Sequence, residues 1–161
     1  MLLLIDGTPG SDISDFLTRL QEETVPCTII PYDAWHMHTH NDHSKLVCND
    51  HHHPDGIIFM RVMPEIAHKR LQNREPHASI SLDYIKQTYA QKEEFFIANK
   101  NTPEQLQHLP VLVLNGNIDF QTDFAQFYNH LFYIRRLVSD IQKKKDIAQG
   151  IYKEKVHRKC C

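Results

Sequence analysis

The sequence predicts an α/β fold, a parallel sheet of about four strands with helices on both faces. Short apolar runs alternate with longer amphipathic stretches along the 161 residues, the pattern of strands that are buried on both sides by helices. Near the end, apolar residues recur at steps of three and four, which predicts a long helix packed on a core. This stripe comprises Phe120, Phe124, Phe127, Leu131, Ile134 and Val138.

Four apolar runs are long enough to be the strands of this sheet. They cover residues 2–5, 27–30, 56–62 and 110–114. Helices are expected between them over residues 13–21, 64–74 and 82–98, because Pro64 suits a first helical position and Ser81 suits a helix start. We therefore predict one domain over residues 1–138, interrupted by a histidine-rich segment at 36–54.

The charge is distributed unevenly along the chain. Residues 1–134 carry nine Lys and Arg against 17 Asp and Glu, whereas residues 135–161 carry nine against three. A basic tail over residues 139–161 could contact an anionic membrane, nucleic acid or an acidic partner. We interpret it as a solvated helix end and expect no nucleic-acid binding.

The apolar runs, the first residues and the cysteines bear on the compartment of the protein. No apolar run approaches the roughly 20 residues that span a bilayer, and the apolar start stops at Asp6 without a basic leader. The four cysteines show no paired spacing, which favours reduced thiols and a cytoplasmic protein.

A glycine-containing turn follows the first predicted strand, where α/β proteins commonly hold phosphate. The working pattern is G-x-x-x-x-G-K-[ST], with Lys on the outer phosphates and Ser or Thr on Mg²⁺. Gly7, Gly10 and Ser14 fit a phosphate-binding turn, but Asp12 replaces the second glycine and Ile13 replaces the lysine. One like-charge contact at ~4 Å and an effective dielectric of ~20 costs about 4 kcal/mol, so this turn should disfavour ATP.

The second half of the sequence resembles the deoxynucleoside kinase family, which implies a P-loop kinase-like fold. The resemblance covers roughly residues 1–35 and 55–138, and it is most specific in the second block. It is carried by DGIIFMRVMPE with IAHKRLQNR at 55–74, ISLDYIK at 80–86, QKEEFF at 91–96, LPVLVLNGNIDF at 109–120 and IDGTPGSDISDF at 5–16.

The resemblance implies roles for individual residues. Arg70 and Arg74 match lid arginines that contact transferring phosphates, and Asp119 and Phe120 match the loop beside the adenine of ATP. Asp33 is the nearest match to the catalytic base. The residues also have plainer interpretations: the arginines could form a solvated helix face, and Phe120 could belong to the core.

The chain departs from the family at several points. The family's Glu-Arg-Ser strand and its nucleoside-binding helices have no counterpart, because only residues 36–54 fill that interval. The missing strand normally lies near the centre of the sheet, so the resemblance leaves the strand order open. The missing helices normally form the dimer interface, so no dimer is carried over.

The histidine-rich segment could bind metal. On an extended strand, His36, His38 and His40 would point the same way and could share Zn²⁺. The alternative is a tolerated polar loop. At the other end of the chain, Cys160 and Cys161 follow basic residues, so a lipid-assisted contact with a membrane is an alternative to two exposed thiols.

These observations lead to three functional hypotheses. The first is a catalytically degenerate deoxynucleoside kinase-like protein that acts by binding a nucleotide or a protein partner. The second is a divergent active kinase that transfers the γ-phosphate of Mg²⁺·ATP. The third is a metal-binding protein that uses the histidine-rich segment.

Overall fold

The structure, a computed structural model, describes residues 1–34, 53–74, 80–100 and 102–149. The strands are β1 (Leu2–Gly7), β2 (Thr28–Pro31), β3 (Gly56–Arg61) and β4 (Val111–Asn115). The helices are α1 (Ile13–Leu20), α2 (Pro64–Arg74), α3 (Leu82–Phe96), α4 (Glu104–Gln107) and α5 (Phe124–Ala148). The predicted α/β class, with four strands in parallel, is confirmed.

The strand order is β2-β1-β3-β4. β2 pairs directly with β1, where Leu4 lies opposite Ile30, and β1 pairs on its other side with β3, where Leu4 lies opposite Ile57. This settles the order that the resemblance had left open. Since all pairs are parallel, the carboxyl ends of the strands lie at one edge of the sheet.

Alternating strand residues build a core on each face of the sheet, as the pleat requires. On one face, Leu3 and Ile5 join Phe16 of α1 and the inward side of α5, and all are buried. On the other face, Leu4 and Phe59 pack with Phe96 at the end of α3 and with Leu106 of α4. Helices therefore cover both faces, as the sequence predicts.

Side-chain hydrogen bonds cap the starts of two helices, one of them at the predicted Ser81. Ser81 caps α3, since its hydroxyl accepts a hydrogen bond from the backbone N–H of Tyr84 at 3.2 Å. Asp123 caps α5 in the same way, accepting from the N–H of Gln126 at 3.0 Å.

The last helix continues beyond the predicted boundary between domain and tail. α5 continues past residue 138 to Ala148, and Ile141 is buried against the core. Lys145 forms an ion pair with Asp55 at 2.6 Å, just before β3. The first turns of the predicted tail are therefore part of the domain.

Candidate functional site

A cavity of about 450 Å³ lies at the carboxyl end of β1. Its wall includes the whole turn between β1 and α1, the residues that follow β2, and the side of α3 that faces the turn. The predicted residues Gly7, Gly10, Ser14, Asp33 and Arg74 all line it. The structure thus brings together at one cavity most of the residues predicted for phosphate binding and catalysis.

Two glycines let the turn approach its neighbours closely. A Cβ at Gly7 would lie 2.9 Å from the carbonyl oxygen of Met60, and one at Gly10 would lie 2.4 Å from the carbonyl oxygen of Ala67 in α2. Gly10 also has a φ of +82°, which other residues rarely adopt. The turn is therefore pressed against α2 through its backbone.

Asp12 occupies a left-handed backbone conformation, with φ 57° and ψ 31°, at the N-cap of α1. Asp tolerates this region better than most residues. The family pattern has glycine at this position, and the left-handed backbone is a physical reason for a glycine there. The sequence motif showed the missing glycine but did not reveal the backbone geometry that Asp12 adopts.

The carboxylate of Asp12 binds both predicted lid arginines. Its Oδ2 lies 3.2 Å from Nε of Arg70, and its Oδ1 lies 2.7 Å from Nη2 of Arg74, which also contacts Asp15 at 2.7 Å. Burial raises the pKa of Asp12, whereas the two guanidinium groups lower it, and the net pKa is above 3.8. The carboxylate of Asp12 thus lies between the two arginines and pairs with both.

Arg70 has further partners within the protein. Its Nη1 donates to the carbonyl oxygen of Gly116 at 2.7 Å, and its Nη2 donates to that of Ile118 at 2.8 Å. Together with Asp12, these carbonyls contact all three nitrogen atoms of the guanidinium group. Arg70 therefore holds the loop after β4 against the turn, and it does not line the cavity. Arg74 does line it, with its side chain about half exposed.

A second ion pair lies at the base of the cavity. Asp6, the penultimate residue of β1, is buried and accepts from Nζ of Lys92 at 2.6 Å and from the N–H of Gly7 at 2.7 Å. Burial raises the pKa of Asp6, Lys92 lowers it and the neighbouring Asp33 raises it, so the net pKa is above 3.8. Sequence reasoning missed this pair. The sequence signal that could have indicated it was the carboxylate of Asp6 at the end of an apolar strand.

Asp119 and Phe120, predicted to lie beside adenine, are not among the residues that line the cavity. Phe120 is buried in the core, with its ring 5.0 Å from that of Phe16. Asp119 is exposed, and a hydrogen bond from the N–H of Gln121 lowers its pKa. The plainer interpretation of Phe120 as a core residue is confirmed, and its contact with adenine stays a prediction.

Other predicted sites lie outside the described residues. These are His36, His38 and His40, and Cys160 and Cys161. Within the described ranges, no group of three or more His, Cys, Asp or Glu side chains is arranged to hold a metal ion. In the same part of the chain, none of the helices combines the length and apolar character needed to cross a membrane.

A parallel sheet, a phosphate-type turn after its first strand and a helix that starts at this turn define a P-loop kinase-like α/β protein. Comparison with protein families makes the assignment specific, because the deoxynucleoside kinase family matches residues 30–141. The chain belongs to the deoxynucleoside kinase family.

Individual relatives agree with this assignment. The chain is 30% identical over 89 residues to a probable deoxycytidine kinase of Fowlpox virus, a match that covers 54% of this chain and 37% of that protein. It is 30% identical over 99 residues to a mitochondrial deoxyguanosine kinase of Xenopus laevis, covering 58% and 35% respectively. The matches thus span about a third of the length of these relatives.

Among solved structures, a deoxyadenosine kinase from M. mycoides superposes with a TM-score of 0.49 at 16% identity. The superposition covers 83% of this chain and 100% of that one.

Proposed function

We propose that this protein is a catalytically inactive member of the deoxynucleoside kinase family that acts by binding a nucleotide or a protein partner. The observation that carries the proposal is the pairing of Asp12 with Arg70 and Arg74. In the family pattern, these arginines serve the transferring phosphates. Here their positive charge is already paired with the carboxylate of Asp12, in the turn between β1 and α1.

The charge inside the cavity supports the same conclusion. The lining residues include three carboxylates, Asp6, Asp12 and Asp33, against the two cations Arg74 and Lys92. Both cations are paired with carboxylates. A triphosphate would therefore meet a surface with no free positive charge among the described lining residues, although phosphoryl transfer relies on such charge.

The residues present do not fit Mg²⁺·ATP held in the family manner. Ile13 supplies no cation, and Asp12 occupies the two arginines that would otherwise be available to the polyanion.

Calorimetric titration of untagged protein tests the proposal. We expect no heat of binding with Mg²⁺·ATP at millimolar concentration. The double substitution of Asp12→Gly with Ile13→Lys should restore binding by at least tenfold, because it removes the facing carboxylate and adds the missing cation.

Asp15→Asn is the matched control, since it removes one nearby carboxylate that does not line the cavity, and it should not restore binding. Turnover of any deoxynucleoside with ATP by the wild-type protein, lost in Arg74→Ala, would overturn the proposal. Arg74 is the better choice for this test because Arg70 also holds the loop after β4.

One observation favours a second candidate, a divergent active kinase. Asp33 and Ser14 line the same cavity as Arg74, so a base, a hydroxyl for Mg²⁺ and a lid arginine are within one site. The candidate predicts measurable phosphorylation of a deoxynucleoside that is lost in Asp33→Asn. It also predicts a sharp gain in activity for the double Asp12→Gly and Ile13→Lys variant.

A further inference from the structure

The outer side of α5 carries a row of exposed aromatic side chains. Phe124, Tyr128 and Phe132 follow one another at steps of four residues, and Tyr133 lies beside Phe132 with their rings 5.6 Å apart. These four side chains are 50–61% exposed. Single exposed apolar residues are common, but a contiguous row of large aromatics marks an interaction surface.

The row is not part of the core packing of α5. The inward side of the same helix is already filled by Phe127, Leu131 and Ile134, which are fully buried. One face of the Phe124 ring is covered by the guanidinium group of Arg19, at 4.2 Å from the ring centroid. The other three aromatic side chains project from the domain.

The charges on this helix indicate a protein partner and not a polyanion. Arg135 lies 3.4 Å from Glu23, and Lys145 lies 2.6 Å from Asp55. Asp140 is 4.0 Å from Arg136 and 3.7 Å from Lys143. Nucleic acid and anionic membranes are bound by uncompensated cations. Four of the five Lys and Arg side chains of α5 lie within ion-pair distance of a carboxylate, with Arg136 and Lys143 sharing that of Asp140.

We propose that this aromatic row is the contact between two copies of this chain, paired antiparallel about Phe132. Beyond Phe132, the same row continues at steps of four with Arg136 and Asp140. In an antiparallel pair centred on Phe132, Tyr128 lies level with the partner's Arg136, and Phe124 lies level with the partner's Asp140. The row is thus complementary to itself, as a twofold contact requires.

Facing positions of the two helices make favourable contacts in this arrangement. The two Phe132 rings meet at the centre, and Tyr128 offers its ring face to the partner's Arg136, a cation–π contact. Phe124 brings the guanidinium group of Arg19 close to the partner's Asp140. The surface goes beyond the proposed function, because it lies on the outer side of α5 and includes none of the residues that line the cavity.

The area indicates a weak dimer. An aromatic side chain presents 150–250 Å², so four of them, about half exposed, offer roughly 450 Å² per copy. A standard interface buries about 800 Å² per partner. Contacts of this size are weak, so we expect the dimer to form only in concentrated solution.

Sedimentation velocity of the full chain, under reducing conditions and over a range of concentrations, tests the proposal. The wild-type protein should shift from monomer to dimer, and Phe132→Glu should weaken the association at least tenfold. Ile97→Glu is the matched control, because Ile97 is 47% exposed at the end of α3, and it should dimerise like the wild type. Thermal melting confirms that each variant is folded.

The antiparallel register has its own test. Tyr128→Lys and Arg136→Glu should each weaken the dimer, and the two together in one chain should restore it, since each new lysine then faces the partner's position 136. Positions 128 and 136 are two helical turns apart and do not interact within one chain. A monomer at all concentrations, or a dimer that persists in Phe132→Glu, would overturn the proposal. Loss of the dimer in the double variant would overturn the register.

Discussion

Arg70→Lys separates a structural from a ligand-binding role for the first predicted lid arginine. Lysine keeps the positive charge but replaces a planar fork of five donors by one ammonium group. That group can contact one of the three partners that Arg70 binds, namely Asp12 and the carbonyl oxygens of Gly116 and Ile118. Two of the three contacts are lost, whichever one is kept.

The magnitude follows from the burial of Arg70. A hydrogen bond to a charged group contributes about 1.5–3 kcal/mol. The side chain is 17% exposed, so water can partly replace the lost partners. We expect a loss of about 2–3 kcal/mol in the free energy of unfolding, which lowers Tm by roughly 5–10 °C in a domain of this size.

Urea denaturation of the protein without ligand measures this loss, with an unchanged slope confirming the same unfolding transition. Arg74→Lys is the control: its side chain is 47% exposed, so the change should cost less than about 1 kcal/mol. If Arg70→Lys is as stable as the wild type, or no worse than Arg74→Lys, the argument that Arg70 is a structural residue fails.

Three further predictions concern stability, each measured by urea denaturation. Gly10→Ala should cost about 2–4 kcal/mol, because the new Cβ would lie 2.4 Å from the carbonyl oxygen of Ala67 at a positive φ; a loss below about 1 kcal/mol would contradict this close approach. Lys92→Met should cost about 2–3 kcal/mol at neutral pH by leaving Asp6 buried and unpaired, and adding Asp6→Asn should recover most of it. Burial acts to raise the pKa of Asp55, but hydrogen bonds from an ammonium group and a backbone N–H outweigh it, so the net pKa is below 3.8. Asp55→Asn should therefore cost about 1 kcal/mol above that pH, and this difference from the wild type should vanish as the pH falls through the lowered pKa; a difference independent of pH would contradict it.

Sequence patterns were sufficient for the elements of the fold. Buried strands need apolar runs and helices need a periodic apolar side, so both leave a local signal. Most boundaries shifted by a residue or two, as with β2, which covers Thr28–Pro31 instead of residues 27–30. The last helix begins at Phe124 and not at Phe120, and Phe124 is exposed instead of packed on the core. The short helix α4 was missed because four residues carry no periodicity. The extent of the last helix was underestimated because the charge of the last segment hid the continuing apolar side with Ile141.

The candidate site was predicted only in part. The motif correctly identified the turn and the residue types at its altered positions. The partners of Arg70 could not be predicted, because its two carbonyl acceptors lie 46 and 48 residues further along the chain. Backbone acceptors have no residue-type signature. The repulsion between Asp12 and a phosphate was predictable, but the pairing of Asp12 with the arginines depended on how closely α2 approaches the turn.

The backbone contact between Gly10 and Ala67 has a mechanical consequence. With no room for even one added carbon atom between them, the turn and the first half of α2 cannot move closer together. Arg70 lies less than one helical turn beyond Ala67, so the same backbone contact sets how near to the turn the Arg70 side chain begins.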